Sequence, residues 1–196
     1  CILHNLPESK LVEFGEDPRD PGGYFVINGS ERVIVGLEDL SYNKIIVDTE
    51  ETTGTLLYKA KVYSSIVGYR AKLELIMRPD GSIVTKIPGS PVDIPLITLI
   101  RALGLEADKD IADSVSLSDL IQDELEPSFE KAGDVASSRD AIVYISKRIA
   151  PGMLEEFQIK RAETLLDWGL LPHIGKNPEN RHEKALFLGE AASKLV

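Results

Sequence analysis

The chain has 196 residues, 43% of them apolar, which is enough for one buried core with a piece of a second domain and excludes a compositionally disordered segment. A formal charge of −10 argues against a surface coated for nucleic-acid binding, and the single cysteine, Cys1, excludes an internal disulfide. No apolar run reaches the roughly 18 residues of a bilayer span. The first 15 residues, with Glu8 and Glu13, also lack the apolar segment of a secretory signal, so a soluble protein of a reducing, intracellular compartment is expected.

The charge is unevenly spread. Residues 1–57 carry net −7, residues 58–101 net +4, residues 102–142 net −8 and residues 143–196 net +1. One positive block lies between two negative ones. Charge runs are most often ordinary solvated faces, and these segments read that way on charge alone.

Residues 8–20 are acidic and read as loop or short helix. Residues 24–27 and 32–35 are aromatic and β-branched runs, each read as a strand. Asn28-Gly29 between them tolerates positive φ at both central positions of a tight turn, which predicts a hairpin with a two-residue loop. Pro21 and the Gly22-Gly23 pair break the chain before the first strand. Residues 44–48 predict a third strand, and the polar residues 50–54 read as a turn-like seam between substructures.

Residues 56–67 alternate, with Leu57, Lys59, Lys61 and Tyr63 on one face and Tyr58, Ala60 and Val62 on the other. Leu73, Leu75 and Met77 alternate with Lys72, Glu74 and Ile76. Arg78-Pro79-Asp80-Gly81 has turn chemistry, and residues 82–87 return as a partner strand. The result is an antiparallel sheet whose polar face carries Lys59, Lys61, Lys72 and Lys86.

After Pro95 the period changes to that of a helix. Leu96, Leu99, Ile100 and Leu103 share one face, and Gly104 closes the segment. Helices are expected to start near Ser116-Leu117-Ser118-Asp119, to run over 138–149, over 153–168 as the longest, and over 183–196. In the longest, Leu154, Phe157, Arg161, Ala162, Leu165 and Leu166 form the inward stripe. Strands come first and helices after them, which favours α+β: an antiparallel sheet followed by a helical cluster, preceded by a β-hairpin. The chain opens on Cys1-Ile2-Leu3-His4 and ends within a helical pattern, so a piece of a longer polypeptide is expected.

Catalytic motifs are absent. His4, His173 and His182 are widely separated, and Cys1-x-x-His4 is half of a zinc pattern without its partner half. There is neither a G-x-S-x-G elbow nor a G-x-x-x-x-G-K-[ST] phosphate loop, and Gly22-Gly23 precedes a strand rather than a helix. Adjacent carboxylates such as Glu50-Glu51, Asp123-Glu124 and Glu155-Glu156 point apart and read as solvated surface. Asp108-x-Asp110-x-x-Asp113 lacks the glycine and distal glutamate of a calcium loop. No metal site and no catalytic residue is assigned.

One string is more specific than its pattern. The run from Asp20 through Gly22, Gly23, Asn28, Gly29 and Arg32 to Val35, Asp-Pro-Gly-Gly-Tyr-Phe-Val-Ile-Asn-Gly-Ser-Glu-Arg-Val-Ile-Val, closely resembles the second-largest subunit of multisubunit DNA-dependent RNA polymerase in its archaeal and eukaryotic form. In that family the string lies in the protrusion domain, before the lobe. The resemblance continues through Asp93-Ile94-Pro95-Leu96 and Arg101-Ala102-Leu103-Gly104. It extends over Lys160-Arg161-Ala162, Leu170-Leu171-Pro172-His173-Ile174 and Lys184-Ala185-Leu186-Phe187-Leu188-Gly189.

The resemblance implies that residues 1–45 are part of the protrusion and residues 46–196 the lobe. Together these form one wall of the DNA cleft of a nucleotidyltransferase. It implies other polymerase subunits, DNA and transcription factors as partners, no membrane, and a cytoplasmic, nucleoid-associated location (nuclear in a eukaryote). Docking of factors on the lobe is the alternative role. The catalytic Asp-Phe-Asp-Gly-Asp motif of the largest subunit is absent, as is the Asp-Arg-Asp-His-Tyr-Gly stretch, so no catalytic residue carries over. No cofactor is expected in this piece, since the family's Mg²⁺ and Zn²⁺ are bound elsewhere. A glutamine that bacterial relatives place near the hybrid is Leu37 here, so that contact does not transfer. Lys59, Lys61, Arg70, Lys72 and Lys86 are the candidates for facing DNA, by phosphate contacts that position a duplex without reading it.

Overall fold

The structure is a computed structural model that describes residues 6–52, 54–133 and 135–196. Cys1 and His4, the half zinc pattern, lie outside the described residues. The chain divides into two compact units, Cys1–Leu40 and Ser41–Val196.

The first unit holds α1 (Glu8–Glu13) and a hairpin of β1 (Phe25–Ile27) and β2 (Ser30–Arg32). Asn28 and Gly29 take φ of 52° and 77°, the left-handed pair that a two-residue primed turn requires. The second strand begins earlier than its β-branched residues suggest. A two-residue loop forces Ile27 opposite Ser30, and the ladder is complete at Phe25 opposite Arg32. Gly22 and Gly23, both at positive φ, turn the chain away before a further pair can form, so residues 33–35 have no partner strand among the described residues. The Asp20 carboxylate ties this approach together: it accepts from Gly22 N–H at 2.7 Å and from the Tyr24 hydroxyl at 2.6 Å. Those bonds hold its pKa below the carboxylate norm and push that of the Tyr24 phenol up to about 12. Phe25, Val26, Ile27, Val33, Ile34, Val35 and Leu37 are all exposed.

The second unit is a five-stranded antiparallel meander in chain order, covered on one face by helices. Its strands are β3 (Ile45–Thr52), β4 (Thr55–Ile66), β5 (Tyr69–Met77), β6 (Ile83–Lys86) and the short edge β7 (Ile94–Pro95). β3 runs on through the polar residues expected to form a seam, and the turn there closes a hairpin, with Thr52 paired to Thr55. Thr49, Glu50 and Glu51 are accommodated because β3 is an edge strand with exposed side chains. The β5–β6 turn is as predicted: Gly81 sits at φ 81° and its N–H donates to Arg78 C=O at 2.9 Å.

Strand alternation sorts the two faces. Ala60, Val62, Leu73, Leu75, Ile83 and Thr85 are buried toward the helices. The helices are α2 (Leu96–Ala102), α3 (Asp108–Val115), α4 (Asp119–Asp123), α5 (Glu126–Ala132), α6 (Ser138–Ile149), α7 (Glu155–Thr164) and α8 (Arg181–Ser193). Every residue of α2 is buried, which makes it the central rod of the core rather than a one-sided surface helix. Leu96, Ile97, Leu99 and Ile100 are fully inaccessible, each contributing roughly 1.5–3 kcal/mol of apolar burial. α6 spans the expected residues and is capped by Ser137, whose Oγ accepts from Asp140 N–H at 3.1 Å.

Two helices have no counterpart in the sequence reading. α3 and α5 carry few apolar residues: Ile111, Val115 and Ala132 are buried, and Phe129 is half-buried against the core. The stripe on α7 is also shorter than its spacing suggests. Leu154 and Phe157 are exposed, whereas Ala162 and Leu166 are buried. The α7 helix ends in a π turn (Leu165–Gly169), closed by Leu170 N–H to Leu165 C=O at 2.8 Å, and the wider turn rotates the residues that follow.

Candidate nucleic-acid interface

All five predicted cations lie on the sheet face opposite the helices. The register puts Lys61 opposite Glu74, Tyr63 opposite Lys72, Ser65 opposite Arg70, and Glu74 opposite Lys86, with Lys59 opposite Asp48 of β3. Because side chains alternate, these positions share one face. Ile76 and Val84 are on the same face and are buried, which bounds the charged area.

The lysines are not bare charges. Lys61 Nζ donates to Asp48 Oδ2 at 2.8 Å and Lys72 Nζ meets Glu74 Oε1 at 2.6 Å. Lys59 is largely buried and pairs with Glu50. The hydrogen bond to Asp48 raises the pKa of Lys61, and that to Glu74 raises that of Lys72. The Asp48 and Glu50 carboxyls are lowered by their bonds to Lys61 and Lys59. The Arg70 guanidinium lies 4.3 Å from the centre of the Tyr42 ring and donates to its hydroxyl. Lys86 is exposed and makes no ion pair among the described residues. The face is thus a mosaic of five cations and the three carboxylates Asp48, Glu50 and Glu74. The Lys61–Asp48 and Lys72–Glu74 pairs each keep one partner at least half exposed, and such pairs are worth little and can be exchanged for phosphate oxygens at low cost.

The other predicted positions serve local structure. Gly22, Gly23, Asn28 and Gly29 shape the hairpin and its approach, and Arg32 is exposed at the end of β2. Arg101 is buried beneath the helices, where it donates to Val135 C=O and to Asp108 and so ties α2 to the start of α3.

Two sets of buried polar contacts hold the later part of the second unit, one at the π turn and one between β4 and His173. Lys184 is fully buried, and its ammonium donates to Leu166 C=O at 2.9 Å and Asp167 C=O at 2.6 Å. Burial lowers its pKa to about 8. Asp167 accepts two bonds from Arg181, at 2.6 and 2.8 Å, and that bond raises the pKa of the guanidinium. Ser64 Oγ on β4 accepts from His173 N–H at 3.2 Å and lies 2.7 Å from its Nδ1, while burial depresses the imidazole pKa. The sequence offered only one signal of these contacts, the long unbranched stem of Lys184 among apolar neighbours. Its donors are consumed by backbone and carboxylate, so it reads as architecture.

The acidic block resolves into α3, α4 and α5, with Asp110, Asp113, Asp119, Asp123, Glu124, Glu126 and Glu130 exposed, while Ile111, Val115 and Leu125 stay buried. Removing this block whole would therefore strip the core. Among the described residues no three His, Cys, Asp or Glu side chains converge as a metal-binding group would, and no helix is long and apolar enough to cross a membrane.

Against known proteins, residues 40–196 match the family described as RNA polymerase Rpb2, domain 2. The chain belongs to that family.

The Rpb2 domain 2 match is accompanied by similarity to archaeal subunits over nearly the whole chain. DNA-directed RNA polymerase subunit Rpo2 of Saccharolobus solfataricus is 44% identical over 187 residues, covering 95% of this chain and 17% of that protein. Subunit Rpo2N of Methanocaldococcus jannaschii is 39% identical over 200 residues, covering all of this chain and 40% of that protein. Rpo2N of Halobacterium salinarum is 38% identical over 192 residues, covering 96% of this chain and 36% of that protein. The chain therefore spans well under half the length of these curated relatives. The α+β architecture, with its antiparallel sheet and helical cluster, is the one expected for this polymerase domain.

Proposed function

We propose that this chain is a non-catalytic wall of the DNA cleft in a DNA-directed RNA polymerase of archaeal type. Residues 1–45 would belong to the protrusion and 46–196 to the lobe. The nucleotidyl transfer itself, and the Mg²⁺ and Zn²⁺ of the enzyme, belong to other parts of the polymerase, whose other subunits are the chain's partners in the cytoplasm. The observation that carries this reading is the gathering of Lys59, Lys61, Arg70, Lys72 and Lys86 on one face of a sheet in a polymerase domain. Phosphates replacing Asp48 and Glu74 at Lys61 and Lys72 would hold a duplex by charge and shape, without sequence preference.

The test is made in the assembled polymerase containing this sequence. Lys61→Gln, Lys72→Gln and Lys86→Gln together should weaken downstream DNA binding. The dependence of log K on log salt should become shallower by about 0.9 for each phosphate that is no longer neutralised. Open complexes of unaltered stability across the salt range would refute the DNA-facing assignment.

A second role, docking of transcription factors or other subunits, is favoured by the outward carboxylates of α3–α5. Asp110→Asn, Asp113→Asn, Asp119→Asn and Asp123→Asn leave Ile111 and Val115 in place. Factor binding that survives all four would remove this role from that surface.

A further inference from the structure

The second unit holds a groove of about 610 Å³ lined by Tyr69, Ile149, Arg161, Leu165, Trp168 and Lys176, with Gly89 and Gly169 in its wall. None of these residues was singled out for binding by the sequence, and none belongs to the charged sheet face. The π turn shapes one side of the groove. It leaves Trp168, the chain's single tryptophan, 56% exposed rather than buried with its helical neighbours Leu166 and Asp167. A Cβ on Gly89 would come within 3.3 Å of Leu165 Cδ1, and one on Gly169 within 2.8 Å, so Leu165 lies close across both glycines and would have to shift if either carried a side chain.

The chemistry is one-sided. Ile149 and Leu165 supply aliphatic surface, and Tyr69 and Trp168 supply aromatic surface. Arg161 and Lys176 supply charge, and among the described residues no carboxylate lines the groove. Arg161 is exposed and has no carboxylate partner among the described residues. The Lys176 ammonium is 4.7 Å from the Trp168 ring centre, a cation held by a π face rather than by an acid. In a chain of net charge −10, two cations without acidic partners among the described residues, beside an exposed indole and an aliphatic floor, form a locally inverted environment.

We infer that this groove captures a short acidic segment of a partner polypeptide, one that carries an aromatic or aliphatic anchor between carboxylates. The anchor lies on Leu165 and Ile149 against the Trp168 edge, and the carboxylates meet Arg161 and Lys176. Charge complementarity selects this occupant. Arg161 can take a carboxylate through two parallel N–H donors, while Lys176 offers a point charge. A nucleic-acid strand fits less well. Lys176 already occupies the Trp168 face on which a base would stack. The inference rests on the docking reading above, but on a different surface from α3–α5, so each can fail alone.

The experiment uses the 196-residue chain and a fluorescein-labelled, end-blocked peptide, Gly-Ser-Asp-Phe-Glu-Leu-Ser. Because Trp168 is the sole tryptophan, its emission reports occupancy directly when unlabelled peptide is titrated. Saturable quenching or a blue shift is expected, with matching anisotropy of the labelled form. Arg161→Gln with Lys176→Gln should weaken binding by about tenfold or more, as expected for lost charge-assisted bonds. Trp168→Ala, read by anisotropy, should weaken it comparably, and a peptide with lysines at its two acidic positions should not bind. Both substituted cations are at least partly accessible, so these variants keep the core. Failure of the acidic peptide to saturate, equal affinity for the charge-neutralised variant, or saturable quenching by oligo-dT alone would each overturn the proposal. A null titration with factor binding still lost in the α3–α4 carboxylate variant would sink the groove while sparing the docking role.

Discussion

Substituting Lys184 by methionine keeps its unbranched stem in the core and deletes its charge. Two opposing effects follow at neutral pH. Leu166 C=O and Asp167 C=O lose their donor, and a buried unsatisfied acceptor costs about 1–3 kcal/mol each. Against this, the protein no longer buries an ammonium. The drop in pKa from 10.5 to about 8 measures that burden at about 1.4 kcal/mol per unit, or roughly 3 kcal/mol in all. The terms nearly offset, so Lys184→Met should destabilise by only about 1 kcal/mol at pH 7.

The sign of the pH dependence separates the terms. Between pH 8 and 10.5 the folded amine is neutral while the unfolded one still binds a proton, so wild-type stability gains with rising pH. The gain from pH 7 to 10 is about 2.5 kcal/mol for the cited values, and the methionine variant cannot share it. Urea unfolding at pH 7 and pH 10, followed by Trp168 fluorescence and far-UV circular dichroism, reads the difference. Other titrating groups cancel between the two proteins. A gap between wild type and variant that stays constant or narrows from pH 7 to 10 would refute the reasoning.

Gly189→Ala should destabilise the second unit by about 2–3 kcal/mol in urea melts, because its Cβ would fall 2.6 Å from Ser114 C=O where α3 crosses α8; a loss under 0.5 kcal/mol would mean the helices part freely. His173 is held neutral by burial, with its folded pKa below the ordinary 6.5, so its contribution is complete above pH 6.5 and is lost as pH falls toward the depressed value. Melts of His173→Gln against wild type from pH 7 to 5 should converge, and parallel curves would contradict this. Amides of Phe25–Ile27 and Ser30–Arg32 should exchange much faster than those of Leu96–Ala102, because every residue of the hairpin strands is exposed and every residue of α2 is buried; equal protection by mass spectrometry would be inconsistent with that contrast.

The sheet was readable because its alternation is strict where it counts. Ala60, Val62, Leu73 and Leu75 face one way and Lys59, Lys61, Lys72 and Glu74 the other, and a one-residue slip would bury the charges. The turns at Asn28-Gly29 and at Gly81 were equally plain, since few residues take positive φ. The helical layer was harder. α3 and α5 offer few apolar residues to a periodicity test, and α2 is buried all round, so its apparent stripe understated its position. Shared direction along a strand was enough to gather the cations Lys61, Arg70, Lys72 and Lys86. Their pairing with Asp48 and Glu74 depended on cross-strand register, which alternation alone does not specify. The groove could not be foreseen, because Tyr69, Gly89, Arg161, Trp168 and Lys176 come from four separated stretches and meet only through the π turn.

Ser64 and His173 are 109 positions apart, and His173 in turn sets its ring edge-on against Phe187, 5.4 Å between centres. A ribosome making the chain therefore finishes the meander long before the residues that seal its greasy underside leave the exit tunnel. At ordinary elongation speeds the wait for His173 is roughly 5–25 s, during which Ser64 and the sheet face around it lack their last cover. Nascent copies of this domain should lean on a holding chaperone until His173 emerges, and their dependence should fall there.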